Sequence, residues 1–311
     1  MNDEKQRKRI EEALNGIVQQ RGLTLLYACL AGSRARGIDD ESSDYDVFFV
    51  YCYPKDAYLQ VSLPPDREPP VSTIELKLED ENTELKGWDI YKVLQLLCKS
   101  NPSLMEYLFS PTVYVEQSPH IETIRNIARR HYSHETILQH YAHMAHRNYR
   151  QYIDNRIIRG EDKVLTKKYL YVIWPIIALL YLEQHKALPP TNFIETLDNV
   201  ELDNVVRENI EDLVARKRQG ENMGMGTPNP ILNRFADQHL TRWMQHSPEK
   251  DNKGYNFKEL DDIVLSILNE ENNATTTPSN EDDDKNDDFD ADREVIAFMM
   301  HHYNEKFKEQ Q

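Results

Sequence analysis

The sequence predicts an α+β protein: a small mixed sheet with helices on one side, then a helical domain forming the other wall of a cleft. Three patterns carry that expectation. Short β-branched and aromatic runs lie in the first third of the chain, 3.6-residue apolar periodicity dominates beyond Pro119, and residues 269–293 hold almost no apolar side chains.

Residues 4–20 alternate charge with Ile10, Ala13, Leu14 and Ile17, the stripe of an amphipathic helix, and Gly22 closes it. A continuous apolar run over 23–31, a turn-rich stretch over 32–43 and a β-branched, aromatic run over 45–53 read as strand, connector, strand. Residues 54–70 form a Pro-rich loop. Ile74, Leu76 and Leu78 then alternate with Glu75 and Lys77, the period of a strand with one wet face, and a fourth strand follows over 83–88. Asp89 precedes Ile90, Val93, Leu94 and Leu97, so it occupies an N-cap position; Asn101-Pro102 repeats the signal for a helix over 103–108. Helices are expected over 135–158, 167–184 and 200–217. Residues 269–293 read as a disordered acidic linker, and Val295, Met299, Tyr303 and Phe307 mark a last amphipathic helix. The expected units are therefore 1–118, a sheet-bearing domain; 119–268, a helical domain; 269–293, the linker; and 294–311, the terminal helix.

A chain of 311 residues is long enough for about two domains. Its net charge is −16, of which residues 281–292 contribute −7, so most of the acidity outside that run is dispersed. No apolar run approaches the 18 to 20 residues of a membrane span, and the charged N-terminus lacks a signal-peptide core; a soluble, cytoplasmic protein without a membrane partner is expected. Cys29, Cys52 and Cys98 are odd in number and lack metal-ligand spacing, which argues against a disulfide framework or a zinc ribbon.

The chemistry concentrates in Gly32-Ser33-Arg34-Ala35-Arg36-Gly37 followed by Ser43-Asp44-Tyr45-Asp46. Alternate side chains of a strand share a face, so Asp44 and Asp46 point the same way. Two carboxylates so placed repel each other unless a cation lies between them, and Mg²⁺ (or Mn²⁺) is the economical choice. Gly32 and Ser33 supply backbone donors and a hydroxyl at a tight turn, suited to a phosphate, with Arg34 or Arg36 adding charge and Ser43 adjoining the acids. Together these make a site for a metal-bound nucleoside triphosphate.

Glycine-serine, ten intervening residues and Asp-x-Asp resemble the signature of the DNA polymerase β-like nucleotidyltransferase superfamily. Glu84 to Asp89, Lys99 to Pro102 with Glu106 to Leu108, His140-Tyr141 with Met144-Ala145, and Lys167 to Leu170 further resemble successive blocks of its RlaP-type (YcgL-type) members, over about residues 23–230. The resemblance implies a minimal palm followed by helices, NTP and divalent-metal use, and a place in RNA repair. It implies that Asp44 and Asp46 hold the metal with a third carboxylate from a neighbouring strand: Glu84, with Asp89 in reserve as the residue better explained as a helix cap. It also makes Lys168 and Tyr169 candidates for nucleotide contact. Two departures stand out: glutamate at 84 in place of the usual aspartate, and Trp174 where arginine is expected before Pro175. The implied reaction moves an NMP from an NTP to a hydroxyl, an RNA 3′ end first among acceptors. The alternatives are a non-catalytic nucleotide or RNA-binding module, and an enzyme that modifies a protein partner held by the terminal helix.

Residues 125–168 carry ten Lys or Arg against four acids, interleaved with tyrosines, which suits either a phosphate-binding surface or a solvated helix face. His140, His143 and His146 recur every third residue without a metal-binding partner pattern, so a structural role is expected. Gly220 reads as a helix stop after the basic pair Lys217-Arg218, the alternative being a pair that reaches the cleft, and residues 223–226 read as a plain connecting loop rather than a cover for the site.

Overall fold

A computed structural model describes residues 2–59, 70–78, 82–245 and 255–275. The chain opens with α1 (Asn2–Arg21), β1 (Thr24–Leu30), the single-turn α2 (Gly32–Ala35), β2 (Tyr45–Cys52), the short α3 (Lys55–Leu59), β3 (Thr73–Lys77) and β4 (Thr83–Asp89). α4 (Ile90–Cys98), α5 (Pro102–Leu108) and β5 (Val113–Glu116) complete the sheet-bearing half. α6 (His120–His131) and α7 (His134–Tyr149) follow, and α7 runs through a π-helical turn, Arg150–Asp154, into α8 (Asn155–Ile158). Then come β6 (Val164–Leu165), α9 (Lys168–His185), α10 (Phe193–Asp198), α11 (Asn204–Arg218), β7 (Met225–Gly226), α12 (Pro230–Met244) and α13 (Phe257–Thr275).

The main sheet has the order β3-β4-β2-β1-β5 and is mixed: β2 and β4 run parallel while the other pairs are antiparallel. The α+β class expected from the sequence is what the chain adopts. Strand β5 was not expected; it pairs with β1 at the edge, and its Val113-Tyr114-Val115 run was too short to rise above its surroundings. Helices also cover both faces rather than one. Val47, Phe49 and Tyr51 of β2 pack with Ile10, Leu14 and Ile17 of α1, whereas Phe48, Val50 and Cys52 face the remaining helices. That alternation is the period of two along a strand, and it places Asp46, two residues before Phe48, on the helical side.

The core on that side continues without a break from Phe48 and Trp88 through Tyr141, Ile173 and Phe193 to Val264 of α13. Both expected caps are formed: Asp89 accepts from the Tyr91 amide at 2.9 Å and Asn101 from the Leu104 amide at 3.0 Å. The loop expected over 54–70 begins with α3, and residues 223–226 are not a plain connector, since β7 pairs with β6. α13 continues to Thr275, so the first seven residues assigned to the acidic linker are helical. The rest of the linker and the terminal helix at 294–311 lie outside the described residues. No helix among the described residues is long and apolar enough to cross a membrane.

Candidate active site

Strand β1 ends at Leu30, and the Ala31 amide donates to the Asp46 carbonyl at 2.7 Å, which fastens the following turn to β2 beside the carboxylate. Gly32 opens α2 with φ of +64°, a conformation that suits a residue without Cβ. A Cβ there would lie 1.8 Å from Asp46 Oδ2, so glycine is required twice, by conformation and by the carboxylate packed against it. The first amides of a helix lack intrahelical acceptors, and in α2 they adjoin this carboxylate.

A cleft of about 390 Å³ opens here. Gly32, Ser33, Arg36, Ser43, Asp44 and Asp46 line its sheet side, and Met144, Asn148, Lys167, Leu170, Tyr171, Trp174 and Lys217 line its helical side. The parallel register sets Glu84 directly beside Asp46. Burial raises the Asp46 carboxyl above the usual carboxylate range, Glu84 and Asp44 push it further, and Arg36 opposes them. Glu84 itself is exposed and lies 3.6 Å from Lys77 on β3. Among the described residues no three His, Cys, Asp or Glu side chains already stand close enough to hold a metal ion. Asp44 and Asp46 nevertheless bring two hard-oxygen donors of the kind a divalent cation takes to one cleft. Glu84 is not among the residues that line it, its carboxylate lying beside Lys77.

Asp89 stands apart. It pairs in register with Tyr51, five residues along β4 from Glu84, about 16 Å away at strand rise. Its oxygens accept from Tyr58 Oη at 2.5 Å and the Tyr91 amide, and its burial pushes the carboxyl up to about 7. It is a buried cap.

The two arginines of the turn divide their tasks. Arg34 turns away from the cleft: its guanidinium donates to the Ser43 carbonyl at 2.7 and 3.1 Å and to Asp39 at 3.0 Å, and lies over the Tyr45 ring. It shapes the loop before Asp44. Arg36 lines the cleft and donates to Glu106 at 2.6 Å, with Tyr141 Oη 3.2 Å from the other Glu106 oxygen. Burial opposes the Arg36 charge, but Glu106 outweighs it and raises the pKa. Its Nε, like Trp174 Nε1 whose ring it overlies at 5.3 Å, is buried without a hydrogen-bond partner among the described residues. Both residues line the cleft, but these two nitrogens are buried beneath its surface.

Lys168 and Tyr169 do not line the cleft. Tyr169 is buried, its hydroxyl donating to Asn233 Oδ1 at 2.6 Å and accepting from the Asn229 amide at 2.9 Å. Lys168 Nζ sits over the rings of Tyr152 and Tyr171. The cleft face of this segment is instead Lys167, Leu170, Tyr171 and Trp174, an i, i+3, i+4, i+7 stripe. Pro175 sits inside α9 and cannot donate to the Tyr171 carbonyl four residues earlier. Asn148 of α7 fills the gap, its Nδ2 donating there at 2.9 Å, and so ties two cleft-lining helices together.

Lys217, on α11, reaches across to Asp40 and to Ser43 Oγ at 3.1 Å, while Arg218 holds the Gly37 carbonyl. Burial pushes the Asp40 carboxyl up, but Lys217, with Ser42 and Ser43, outweighs it and leaves it well below the usual range. A lysine 177 residues away thereby anchors the loop that leads into Asp44.

Residues 6–266 match the model of the RlaP family, described as an RNA repair pathway DNA polymerase beta family. The chain belongs to this family. It is also similar to YcgL of Bacillus subtilis (strain 168), an uncharacterised protein, with 32% identity over 265 residues, covering 85% of this chain and 97% of that one. Among solved structures it is similar to a nucleotidyltransferase-like protein from Exiguobacterium sibiricum 255-15, at 10% identity and a TM-score of 0.31, over 78% of this chain and 83% of that one. In this RlaP-family chain the sheet supplies the acids and the helices supply the cations, a division of labour that the cleft brings together.

Proposed function

We propose that the protein is a metal-dependent nucleotidyltransferase that moves an NMP from an NTP to a hydroxyl, with an RNA 3′ end as acceptor. One observation carries the reading: Asp44 and Asp46 share a cleft with Arg36, Lys167 and Lys217. Clustered acids and cations lining one cleft match a substrate that is a polyanion carrying a cation.

Asp44, Asp46 and Glu84 would hold Mg²⁺ or Mn²⁺, which when bound supplies charge neutralisation at the phosphates and lowers the pKa of an acceptor hydroxyl. The amides and hydroxyl of Gly32 and Ser33 receive phosphate oxygens at the start of α2. Arg36 adds its charge from the sheet side, and Lys167 and Lys217 set the potential of the opposite wall. The acceptor oxygen bonds to the α-phosphorus, the α–β bridging bond breaks, pyrophosphate leaves along Ser33, and the hydroxyl proton passes to the carboxylate cluster. Positioning and electrostatics do the catalysis, so no nucleophilic side chain is needed. The family's description as part of an RNA repair pathway supports RNA as acceptor.

Titration of each NTP with and without Mg²⁺ tests the reading. Binding should tighten at least tenfold with the metal, and Asp44→Asn/Asp46→Asn should abolish that gain. Equal affinity with and without metal, unchanged in the variant, would instead favour a binding module, the reading suggested by Glu84 being tied to Lys77.

A further inference from the structure

We propose that the exposed surface around Tyr171, Lys168 and Tyr152, with Arg147, Lys163 and Lys167 beside it, is the track on which a single-stranded RNA acceptor lies as its 3′ end enters the cleft. The inference rests on the RNA-acceptor reading above and assigns that acceptor a place.

The basic run over 125–168 divides into two unlike halves. On α6, Arg125 pairs with Glu116 and Glu122, Arg129 with Glu122, and Arg130 with Glu259, so its charge is neutralised within the molecule. Residues 147–168 hold seven Lys or Arg against three acids. Only Arg150 with Asp154 and Arg156 with Glu161 form ion pairs there among the described residues. Arg147, Arg159, Lys163 and Lys167 are exposed. In a chain of net charge −16 this local surplus is the opposite of the average, and it lies where Lys167 and Tyr171 form the lip of the cleft.

Aromatic surface accompanies the charge. Tyr171 is 47% exposed although it lines the cleft. Lys168 Nζ lies 4.5 Å from the Tyr152 ring centroid and 4.3 Å from that of Tyr171, so one ammonium holds two rings together at the surface. The Asn148 bond to the Tyr171 carbonyl fixes the backbone beneath. Rings for base stacking, interleaved with cations for the backbone, are the composition of a sequence-tolerant single-strand site. A duplex hides its base faces in the stack and would use the charge alone.

The test is anisotropy of a labelled 12-nucleotide RNA with the full-length protein, without NTP or metal, so that it does not depend on transfer. Tyr171→Ala should weaken binding about tenfold, as expected when one base loses its stacking partner, while Tyr171→Phe should bind as the wild type does. Arg147→Glu/Lys163→Glu should weaken binding by at least as much and lower the salt slope by about 1.4, because two phosphates are no longer neutralised. Arg129→Glu/Arg130→Glu on α6 should bind normally. Wild-type affinity in the Tyr171→Ala and Arg147→Glu/Lys163→Glu variants, or an equal loss in the α6 variant, would overturn the placement and leave the transferase reading intact. Preference for duplex RNA would overturn it as well. Absence of RNA binding by the wild type would overturn both the track and the RNA acceptor, leaving nucleotide transfer to be judged on other hydroxyls.

Discussion

Replacing Lys217 by methionine strands the Asp40 carboxylate in a site where the two side chains are 8% and 7% exposed. Removing one partner of a buried ion pair costs about 3–5 kcal/mol. Ser42 and Ser43 still donate to Asp40 at 2.7 and 3.1 Å, which reduces the expected loss to about 2–3 kcal/mol. At about 2–4 °C per kcal/mol for a chain of this size, the melting temperature at pH 7 should fall by about 4–12 °C. Because the Asp40 carboxyl is depressed in the folded state, its contribution is fully present above its unfolded pKa near 4 and is lost as pH falls through the lower folded value. The gap between wild type and variant should therefore persist from pH 8 to pH 5 and close only in strong acid. Removing the carboxylate too, in Lys217→Met/Asp40→Leu, should recover most of the stability. Thermal melts across pH report all three quantities. A single variant that melts within 1 °C of wild type, or a double variant no more stable than the single, would refute the claim that this ion pair anchors the loop before Asp44.

Gly32→Ala should cost about 1–2 kcal/mol for left-handed backbone alone, and the added methyl must displace Asp46, so metal-dependent NTP binding should fall at least a hundredfold in titrations. Trp174→Phe removes a buried unsatisfied donor while keeping an aromatic ring, so melting should change little, because the relieved desolvation offsets the small cavity; NTP affinity should stay within about threefold of wild type, because a ring still lines the cleft. Asp89→Asn keeps the cap and deletes the charge. A carboxyl raised to about 7 contributes stability below its unfolded pKa that is lost as pH rises towards 7, by at most about 4 kcal/mol. The variant's stability should therefore stay flat between pH 4 and 8 where the wild type's declines, and urea melts across that range would show it.

Much of this was legible because strand periodicity is strict. The apolar run after Asp46 marked the face that Asp46 takes, whereas Asp44 lies just before β2 and reaches the same cleft from the loop; Asp89 and Asn101 announced their helices by position. Edge strand β5 escaped because four residues with mixed neighbours carry little periodic signal. On the helical wall of the cleft, Lys168 and Tyr169 were expected where their neighbours Lys167, Leu170 and Tyr171 stand. In a helix one residue is a 100° turn, and residues 167–182 are so uniformly apolar beyond the lysines that no moment marks the inward face. Arg34 and Arg36 were indistinguishable by sequence, since the partners that separate them, Ser43 and Asp39 for one and Glu106 for the other, are set by folding. Lys217 was visible as half of a basic pair ending a helix, with the cleft as its alternative destination, but its partner Asp40, 177 residues away, was not.

Incubating the full-length protein with each α-³²P-labelled NTP, Mg²⁺ or Mn²⁺ and a pool of short RNAs bearing 3′ hydroxyls, beside Asp44→Asn/Asp46→Asn, addresses the chemistry itself. Label should join the RNA with the intact aspartates and not with the variant, and the favoured NTP will identify the base. Label absent from every acceptor, or present equally with the variant, would contradict nucleotidyl transfer at this cleft.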